Sequence, residues 1–451
     1  MEKFKQLGLS DGILNAIKAK GFTEPSEIQL KTIPLVVAGK DVIGSSATGS
    51  GKTLAFGAGM IDKVKRGMGI QTLILTPTRE LAEQVASTLR IYSNQYRLKI
   101  REIYGGVSIG PQMRDLRIAD IVVGTPGRIL DHIQQRTINL SKVKFLILDE
   151  ADRMLDMGFI RDVEKIIQCC PKERQTLLFS ATISKEIRSI ADRHMINPVF
   201  IEAGTKVDPK LLYQKYYDVS TDHKFSLLLH LLQLEKNGVV MVFCNTRRNV
   251  DKLSRALWSY GIHSMAIHGG LSQNKRSDTL SAFHARETLI LVCTDVAARG
   301  LDIKDVSHVY NFDLPSVSTD YVHRIGRTAR AGKNGIAISF VSPGDHSEFR
   351  QICKEISVEI EKETLPEFKV IPIQFSSNAD RKMARRNGGG RGGGRFGGGG
   401  SRFSRNRRDD GGDRGERFTR RSNGGSGRGG NGGRGSGSRG GRFSRGSGRR
   451  F

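Results

Sequence analysis

The sequence contains no run of about 18 apolar residues, and its N-terminus lacks the apolar stretch of a signal peptide. Cysteine is scarce as well: five residues occur, and their spacing matches neither a disulfide framework nor a metal-ligand pattern. No cluster of histidine and cysteine resembles a zinc site. These absences predict a cytoplasmic protein with reduced, structural thiols and no membrane partner.

Acidic residues are few in comparison with basic ones. The chain has 46 Asp and Glu against 72 Lys and Arg, which gives a net charge of +26. Residues 380–451 contribute 21 basic and 5 acidic residues to these totals, so the remainder carries a net charge of +10. A basic body with a still more basic end favours a polyanionic partner, with nucleic acid ahead of an anionic membrane. Solubility alone is the alternative explanation.

The length of 451 residues indicates two domains and an additional segment. Between Asp41 and Glu202, short β-rich apolar runs alternate with longer helical patterns, and a second such series begins near Tyr213. This alternation predicts two α/β modules, each with a parallel sheet covered on both faces, joined by a linker at Ala203–Leu212. The predicted strands are Thr72–Thr76, Asp120–Gly124, Lys144–Asp149, Thr176–Ser180, Val199–Glu202, Gly238–Cys244, His263–His268, Thr288–Thr294, Val306–Phe312 and Gly335–Val341; two of the predicted helices are Arg79–Ile91 and Ile160–Cys169.

The last part of the sequence has a different composition. Residues 388–451 consist mainly of Gly, Arg, Ser and Asn, and 26 of the 53 glycines follow Ala379. Too little apolar surface is present to offset the entropy of ordering, which predicts disorder over residues 376–451. Arg-Phe pairs, which begin at Arg395, Arg402, Arg417 and Arg442, combine charge with rings that can stack on unpaired bases. We interpret this tail as a non-specific RNA tether, with a flexible solubility tag as the alternative.

A phosphate-binding pattern follows the apolar run Val42-Ile43-Gly44. Glycines in such a loop allow backbone amides to turn towards phosphate oxygens without a Cβ in the way. Lys52 can reach the β- and γ-phosphates of a nucleotide, and the Thr53 hydroxyl can bind Mg²⁺. The usual pattern begins with glycine, and here Ser46 occupies that place. The candidate nucleotide-binding residues of the loop are Ala47, Thr48, Gly49, Ser50, Gly51, Lys52 and Thr53.

Two acids follow the apolar run Phe145–Leu148. Asp149 and Glu150 stand where a parallel sheet places a ligand site, at the carboxyl end of a buried strand. We expect Asp149 to hold Mg²⁺ and Glu150 to orient or deprotonate the attacking water, so that both join Lys52 as candidate catalytic residues. An acidic surface turn is the alternative, but it does not explain the apolar run that leads into it.

Residues 149–152 spell Asp-Glu-Ala-Asp, and from about Phe4 to Val341 the chain resembles the DEAD-box RNA helicase family. Gly21-Phe22, Pro25-Ser26 and Ile28-Gln29 resemble the adenine-reading Q motif of that family, with Phe4 as its upstream aromatic residue. The resemblance implies that Phe4, Phe22 and Gln29 bind the nucleotide. A Gln amide can both donate to and accept from an adenine edge.

Other motifs of the family occur in both halves of the chain. In the first half, the resemblance implies RNA contacts by Pro77, Thr78, Arg79, Gly105, Gly106, Thr125, Pro126, Gly127 and Arg128, and a coupling role for Asp152, Ser180 and Thr182. In the second half, residues 294–302 and 323–330 resemble a motif that touches RNA and nucleotide and an arginine-finger motif. These imply RNA contacts by Thr294, Arg299 and Gly300, a ribose contact by Asp302, catalytic roles for Arg327 and Arg330, and coupling between His323 and Asp152. Ala329 stands where many relatives have glycine.

The resemblance implies two tandem RecA-like domains, at residues 1–204 and 205–375, followed by the tail. It implies an ATP-dependent RNA helicase that uses ATP and Mg²⁺ and couples hydrolysis to local duplex unwinding or ribonucleoprotein remodelling, largely without regard to sequence. The candidate catalytic residues are divided between the two halves, so hydrolysis is expected to require closure. The expected partners are single-stranded and duplex RNA and ribonucleoprotein complexes, and the chain is expected to be a monomer.

Two other functions stay open at this point. An RNA-dependent ATPase clamp or RNA chaperone without processive unwinding has the same motifs, whereas a non-catalytic scaffold driven by the tail has no use for Lys52 and Glu150. Two single residues also have alternative interpretations. His268, in His268-Gly269-Gly270, either contacts RNA or is only a hydrogen-bonded polar residue. Trp258, the sole tryptophan, lies in the helical pattern Val250–Tyr260 and is predicted to be core rather than a base-stacking platform.

Overall fold

The computed structural model describes residues 1–46, 49–203, 211–235, 238–298, 301, 303, 305–329, 333–356 and 358–373. Two seven-stranded sheets organise this part of the chain. The strands of the first sheet are β1 (Val42–Ser45), β2 (Thr72–Leu75), β3 (Ile100–Ile103), β4 (Ile121–Gly124), β5 (Phe145–Asp149), β6 (Gln175–Ser180) and β7 (Val199–Glu202). The strands of the second are β8 (Leu212–Asp218), β9 (Val239–Phe243), β10 (Met265–Ile267), β11 (Ile290–Cys293), β12 (Val306–Asn311), β13 (Gly335–Val341) and β14 (Glu361–Glu363).

Both sheets are parallel in their described pairings. The strand order is β3-β4-β2-β5-β6-β1-β7 in the first sheet and β10-β11-β9-β12-β13-β8-β14 in the second. The central strands β5 and β9 are buried at every residue. Ile147 packs into one core cluster, while its neighbours Leu146 and Leu148 pack into another on the opposite face. Burial on both faces explains why these strands read as continuous apolar runs instead of alternating patterns.

Helices supply the layers that cover the sheets. Those of the first half are α1 (Glu2–Lys5), α2 (Asp11–Ala19), α3 (Glu27–Val37), α4 (Lys52–Ile61), α5 (Arg79–Tyr92), α6 (Ile109–Leu116), α7 (Pro126–Gln134), α8 (Ala151–Asp156), α9 (Ile160–Gln168) and α10 (Lys185–His194). Those of the second half are α11 (Lys224–Leu234), α12 (Arg247–Ser259), α13 (Gln273–His284), α14 (Asp295–Ala298), α15 (Ser318–Ile325) and α16 (His346–Ile356). Short 3₁₀ turns occur at Asn94–Tyr96 and Thr221–His223.

Several helices begin at a side-chain cap, and the caps at Thr78 and at Ser26 and Gln29 belong to the sequence motifs. Thr78, Thr246 and Ser272 are N-cap residues of α5, α12 and α13, and each hydroxyl accepts a hydrogen bond from the backbone N–H three residues further on. Ser26 and Gln29 form a capping box at the start of α3. Such contacts satisfy N–H groups that have no partner within the helix. The motif residues therefore set the local backbone as well as offering groups to a ligand.

The parallel α/β fold and all ten predicted strands are confirmed, with ends that differ by at most two residues. Of the other four strands, β1 contains the apolar run Val42-Ile43-Gly44 and β8 begins near Tyr213, where the second series was expected to start. The sequence interpretation missed β3 and β14, which lie at the edges of their sheets and include the charged sequences Ile-Arg-Glu-Ile and Glu-Lys-Glu. Edge strands are half exposed, so their sequences do not need to be apolar. All five cysteines are free thiols, as predicted. Residues 204–210 of the predicted linker and the predicted tail at 376–451 lie outside the described residues, and no helix within the described ranges is long and apolar enough to cross a membrane.

The prediction that Trp258 belongs to the core is wrong. Its side chain is 55% exposed. The buried face of α12 is made by Val250, Leu253, Ser254 and Leu257, and Trp258 lies one step of about 100° around the helix from Leu257. Helical periodicity placed the helix correctly, but a large ring next to an apolar stripe was mistaken for part of that stripe.

Candidate functional site

Apart from those of the Q motif, the candidate residues of the first half meet at one edge of the first sheet, because each of their motifs follows the carboxyl end of a parallel strand. On one half of this edge lie the predicted RNA motifs, with Gly105 and Gly106 after β3, Thr125–Arg128 after β4 and Pro77–Arg79 after β2. On the other half lie the predicted nucleotide motifs, with residues 149–152 at the end of β5, Ser180–Thr182 at the end of β6 and the phosphate loop after β1. The strand order therefore sorts two predicted functions onto two halves of one edge.

The phosphate loop leads from β1 into α4. Gly51 is the N-cap of this helix and has φ +92°, in the left-handed region that favours glycine. The Lys52 ammonium donates to the Ser46 carbonyl at 3.2 Å, and the Ser50 hydroxyl donates to the Ser46 hydroxyl at 3.0 Å. Ser46 thus ties the start of the loop to its end, and the N-terminus of α4 offers backbone N–H groups to an anion. Ala47 and Thr48 lie outside the described residues.

Gln29 connects the Q motif to this loop. Its amide nitrogen donates to the Gly51 carbonyl at 3.1 Å, and its amide oxygen accepts from the Ser26 backbone N–H at 3.0 Å. The Ser26 hydroxyl donates to the Ser50 carbonyl at 2.7 Å. A Cβ on Gly51 would lie 2.2 Å from the Gln29 amide nitrogen, so the approach requires glycine. In this structure the amide that is predicted to bind adenine is bonded to the protein's own backbone.

The two aromatic residues of the Q motif differ in exposure. Phe22 is 44% exposed, whereas Phe4 is completely buried in the core beside α2 and α3. Phe22 is therefore accessible to a planar ligand. Phe4 has no exposed ring face and supports the motif through packing.

Asp149, the last residue of β5, is almost completely buried. Burial raises the pKa of its carboxyl to about 7, although Lys52 lowers it. Its Oδ1 has no hydrogen-bond partner in the described part of the chain. A buried carboxylate oxygen without a donor fits Mg²⁺, which takes few protein ligands and completes its shell with phosphate oxygens and water. Among the described residues, no group of three or more His, Cys, Asp and Glu side chains could hold a metal.

Glu150 has an unusual backbone and a charged partner. Its φ and ψ are 55° and 54°, a left-handed conformation that is uncommon for residues other than glycine and that often marks functional sites. Its Oε2 lies 3.2 Å from Nε of Arg153, and both side chains are almost completely buried. Arg153 was missed by the sequence interpretation. Its position three residues after Glu150 on α8 was the available signal, because residues at that spacing meet on a helix.

Asp152 joins the ends of β5 and β6. Its carboxylate accepts from the backbone N–H groups of Ala181 at 3.1 Å and Thr182 at 3.0 Å. In the other direction, the Ser180 hydroxyl accepts from the Asp152 N–H at 3.1 Å and donates to the Thr182 carbonyl at 2.7 Å. The structure therefore brings together three of the predicted coupling residues, Asp152, Ser180 and Thr182. A change at the acids would be transmitted directly to the loop after β6.

The predicted RNA loops of the first half are also connected to one another. The Arg79 guanidinium lies over Gly106, where a Cβ would stand 2.0 Å from Nη1. Arg128 donates to the Val107 carbonyl at 3.0 Å and to the Gln112 side chain at 3.2 Å. Gly106 has φ +78°, and a Cβ added at Gly127 would meet nothing within 4 Å. These contacts hold the loops after β2, β3 and β4 in one arrangement, with Gly106 covered by Arg79 and open backbone at Gly127.

Arg324 is the hub of the equivalent edge of the second sheet. This completely buried guanidinium binds both carboxylate oxygens of Asp295 at 2.6 and 2.7 Å, the Asn245 side chain at 2.8 Å and the Asp313 carbonyl at 2.6 Å. The contacts tie together the loops that follow β9, β11 and β12. Removing one partner of such a buried pair leaves an uncompensated charge, which costs about 3–5 kcal/mol. The sequence interpretation did not assign Arg324 a role, because its partners are distant in the chain.

The guanidinium of Arg327, a predicted catalytic residue, donates hydrogen bonds to two backbone carbonyl groups of the protein. Nη1 donates to the Leu301 carbonyl at 2.8 Å and Nε donates to the carbonyl of His323, one turn earlier on α15, at 3.3 Å. Ala329 has φ +54°, a left-handed conformation in which the usual glycine would be less strained. Thr294, a predicted RNA contact, is buried at the end of β11. The predicted residues Arg299, Gly300, Asp302 and Arg330 lie outside the described residues.

His268 is hydrogen-bonded within the protein through both of its ring nitrogens. Its Nδ1 accepts from the Gly270 backbone N–H at 3.1 Å, and its Nε2 lies 2.8 Å from the Asp251 carboxylate. Because Nδ1 accepts, Nε2 carries the hydrogen and donates to Asp251. Both ring nitrogens are therefore used within the protein. Of the two interpretations that the sequence left open, the structure supports the hydrogen-bonded polar residue, which holds the loop at Gly269 and Gly270.

A contact between the two halves also escaped the sequence interpretation. Nη2 of Arg276 on α13 lies 2.7 Å from Oε1 of Glu80 on α5, with 11% and 4% of the two side chains exposed. Nearby, Arg79 donates to the Gln273 side chain at 3.4 Å. This buried ion pair joins a helix that follows a predicted RNA motif of the first half to a helix of the second half.

Two family models match the chain. Residues 26–190 match DEAD/DEAH box helicase, and residues 223–332 match helicase conserved C-terminal domain. The first range contains the phosphate loop and the acids, and the second contains α12, α13 and the hub at Arg324. Each matched range therefore coincides with the motif-bearing part of one sheet.

Similar proteins are found among curated relatives and solved structures. The ATP-dependent RNA helicase CshA of Listeria monocytogenes is 48% identical over 353 residues, which are 78% of this chain and 68% of the relative. The DEAD-box ATP-dependent RNA helicase CshA of Geobacillus kaustophilus is 46% identical over 80% of this chain and 78% of the relative. The structure of S. cerevisiae Dbp5 bound to RNA and ADP BeF3 is similar with a TM-score of 0.73 and 31% identity, over 80% of this chain and 95% of that chain.

Proposed function

This chain belongs to the DEAD-box family of ATP-dependent RNA helicases, and from that premise we propose that it hydrolyses ATP at the edge of its first sheet in step with RNA binding, and separates or remodels short RNA duplexes locally. One observation carries the proposal. The motifs that are predicted to bind RNA and those that are predicted to bind nucleotide follow neighbouring strands along one sheet edge. Asp152, after β5, is hydrogen-bonded to the loop at Ser180–Thr182. The proposed sites of hydrolysis and of RNA contact are therefore neighbours on one sheet edge.

Nucleotide binding replaces contacts that the protein now makes with itself. Lys52 leaves the Ser46 carbonyl for the β- and γ-phosphates, and the amides of Gly49 to Gly51 cradle phosphate oxygens. Gln29 exchanges its bond to the Gly51 carbonyl for the adenine edge, and Phe22 covers the base. Since the same amide holds the loop without nucleotide, adenine binding and loop opening are linked.

Hydrolysis depends on the two acids. Thr53 and Asp149 would hold Mg²⁺, which neutralises developing charge on the phosphates when it is bound. The Glu150 carboxylate orients the attacking water and accepts its proton. In this structure that carboxylate lies beside Arg153, so it has to turn away from the guanidinium before it can serve as a base.

The second half completes the site on closure. Arg327 has to release the Leu301 carbonyl before it reaches the γ-phosphate, and we propose that Arg330 and Asp302 complete the site with it. Arginine fingers contribute about 10³–10⁵ in rate to related phosphoryl transfers. If RNA favours the closed state, it stimulates hydrolysis, and ATP tightens RNA binding by the same coupling.

RNA contacts in this proposal are made to the backbone. The residues at Pro77–Arg79, Gly105, Gly106, Thr125–Arg128 and Thr294 offer amides, hydroxyls and guanidinium groups to phosphates and sugars. Such contacts position a strand without reading its sequence, and contacts to 2′-hydroxyls favour RNA over DNA. We further propose that the protein acts as a cytoplasmic monomer on ribonucleoprotein complexes.

The proposal is tested with Glu150→Gln. This change keeps the size of the side chain and removes its ability to accept a proton. ATP hydrolysis should fall by at least 10²-fold, while ATP-dependent RNA binding stays within about twofold. Glu173→Gln, at an exposed glutamate of the same half, is the matched control and should turn over at the wild-type rate. Hydrolysis by Glu150→Gln near the wild-type rate would show that Glu150 is not the base.

A strand-displacement assay separates unwinding from clamping. The wild-type protein should release a short RNA strand from a duplex in the presence of ATP, and Glu150→Gln should hold RNA without release. An ATPase that binds RNA tightly but displaces no strand from any short duplex would instead establish the clamp.

A further inference from the structure

We propose that the exposed face of α12 binds single-stranded RNA beyond the family motifs, with Trp258 as a stacking platform for an unpaired base. The inference rests on the proposed RNA-binding function of the second half. It concerns the row of α12 that runs from the loop at Gly269 and Gly270 to Trp258. Its occupant is the unpaired strand that leaves that loop.

The indole of Trp258 is exposed and at the same time held in place. It is 55% exposed, yet its Nε1–H donates to the Ser264 carbonyl at 2.8 Å. The His263 ring packs against it edge-on, with centroids 4.4 Å apart and an angle of 73° between the planes. A ring fixed by these two contacts loses little side-chain entropy when a ligand stacks on it. An immobilised, exposed aromatic face is the structural requirement for base stacking.

A continuous face of α12 connects this ring to the loop at Gly269 and Gly270. Arg247, Asp251, Arg255 and Trp258 follow one another at spacings of four, four and three residues, which places them in one row along the helix. At the first turn, Nη2 of Arg247 lies 3.3 Å from where a Cβ on Gly269 would stand. The row therefore begins at the loop that His268 holds and ends at Trp258.

The charge of the face matches a polyanion. Arg247, Arg248 and Arg255 are exposed, and Lys252 adds a fourth cation to the same turns. Asp251 is the acid of the row, and its carboxylate already accepts from His268 at 2.8 Å. Cations followed by an aromatic ring are the composition that binds a single strand without base specificity. An acidic peptide would also meet the charge, but the row begins at the loop that leads into α13, where Gln273 accepts from Arg79, a predicted RNA contact. This continuity favours RNA.

The length of the row sets the length of RNA that can reach Trp258. Trp258 lies eleven positions after Arg247, which is roughly 17 Å along the helix axis at 1.5 Å per residue. A stacked strand covers this distance with about five nucleotides at 3.4 Å each. Strands that occupy only the motif loops should not touch the ring, whereas strands extended by about five unpaired nucleotides should.

The sole tryptophan makes the site directly observable in the full chain. Oligouridylates of increasing length would be titrated in the presence of a non-hydrolysable ATP analogue, with Trp258 fluorescence and RNA affinity measured together. Short strands should bind without quenching the fluorescence, and in a separate assay with ATP they should stimulate hydrolysis. Strands longer by about five nucleotides should quench it and bind more tightly.

Variants separate stacking from charge and from folding. Affinity for the longer strand, measured with labelled RNA, should fall at least about fivefold in Trp258→Ala and stay within twofold in Trp258→Phe. Neither change should alter affinity for the short strand. Arg255→Ala should flatten the dependence of long-strand affinity on salt by about 0.7 in the logarithmic slope. Ile196→Ala, at an apolar residue of the first half that is 66% exposed, is the control and should change nothing.

Several results would overturn the inference. Quenching by strands that only fill the motif loops would show that Trp258 reports closure, and an absence of quenching at every length would show that RNA does not reach the ring. Quenching that disappears in a chain truncated after Asn387 would make the tail the route. Quenching by an acidic peptide, without any by RNA, would make the surface a protein-docking site.

Discussion

At the scale of single residues, the site groups already have partners inside the protein. Lys52 is bonded to Ser46, Glu150 lies beside Arg153, and Arg327 is bonded to the Leu301 carbonyl. In the proposed function, each of these contacts is exchanged for a contact with nucleotide or water. Catalytic competence would then depend on the difference between two sets of bonds, and substitutions at these residues would change both sets.

Gln29 provides a test at this scale. Gln29→Ala removes the amide that is proposed to bind adenine and also its bond to the Gly51 carbonyl. ATP affinity should fall by roughly tenfold, the worth of one or two hydrogen bonds, and GTP affinity should fall less. Fluorescent nucleotide analogues measure both.

Gly51→Ala supplies the comparison for Gln29. A methyl group there meets the Gln29 amide at 2.2 Å and strains a φ of +92°, so ATP and GTP affinity should fall equally. Gln135→Ala, at an exposed glutamine, should have no effect. If Gln29→Ala gives the same equal loss as Gly51→Ala, its role is loop support and not base recognition.

At the scale of secondary structure elements, α5 and α13 link the two halves. The Glu80–Arg276 pair is buried and lies beside Arg79, whose guanidinium covers Gly106. A movement of α13 therefore acts directly on the predicted RNA loops. Buried ion pairs contribute modestly as pairs, but the loss of one partner is costly because the other charge remains unpaired.

Arg276→Ala should weaken communication between the halves. RNA-stimulated ATP turnover should fall by roughly tenfold or more, with ATP affinity in the absence of RNA unchanged. Lys275→Ala, at the exposed neighbouring cation, is the matched control. The exchange Glu80→Arg with Arg276→Glu should recover part of the loss. Turnover at the wild-type level in Arg276→Ala would exclude a role for this pair in RNA-stimulated hydrolysis.

At the scale of the whole molecule, the proposed catalytic groups are divided between two sheets. Arg327→Ala should leave ATP binding within about twofold and slow RNA-stimulated hydrolysis by about 10³-fold or more. A fragment that ends near Glu202 should be equally inactive. Equilibrium nucleotide binding and steady-state turnover check both statements. Full RNA-stimulated turnover by the fragment would contradict the divided site.

The tail belongs to the same scale because its proposed action is electrostatic. Deletion of all residues after Asn387 removes most of the charge of residues 380–451, which carry 21 basic and 5 acidic residues. RNA affinity should fall and depend less steeply on salt, because each neutralised phosphate of a single strand contributes about 0.7 to the logarithmic slope. Turnover at saturating RNA should not change. Equal affinity and slope in both chains would leave the solubility interpretation in place.

The sequence alone determined the family and the two parallel sheets, and it located the predicted phosphate loop and the two predicted catalytic acids. These features are local: a buried parallel strand is a continuous apolar run, and a phosphate loop needs glycines at short, defined spacings. Local patterns also placed ten strands to within two residues. They failed at β3 and β14, where edge exposure removes the apolar signal, and at Trp258, where periodicity does not say on which side of a stripe a large ring lies.

Only the tertiary structure decided which residues are neighbours across the chain. The strand order separated RNA motifs from nucleotide motifs along one edge. Long-range packing paired Glu80 with Arg276 and surrounded Arg324 with three loops. It also placed His268 within hydrogen-bond distance of Asp251 and left Trp258 exposed. Such outcomes depend on which strand lies beside which and on which face of a helix is covered. Both are settled by burial of the whole apolar surface rather than by the spacing of residues along the chain.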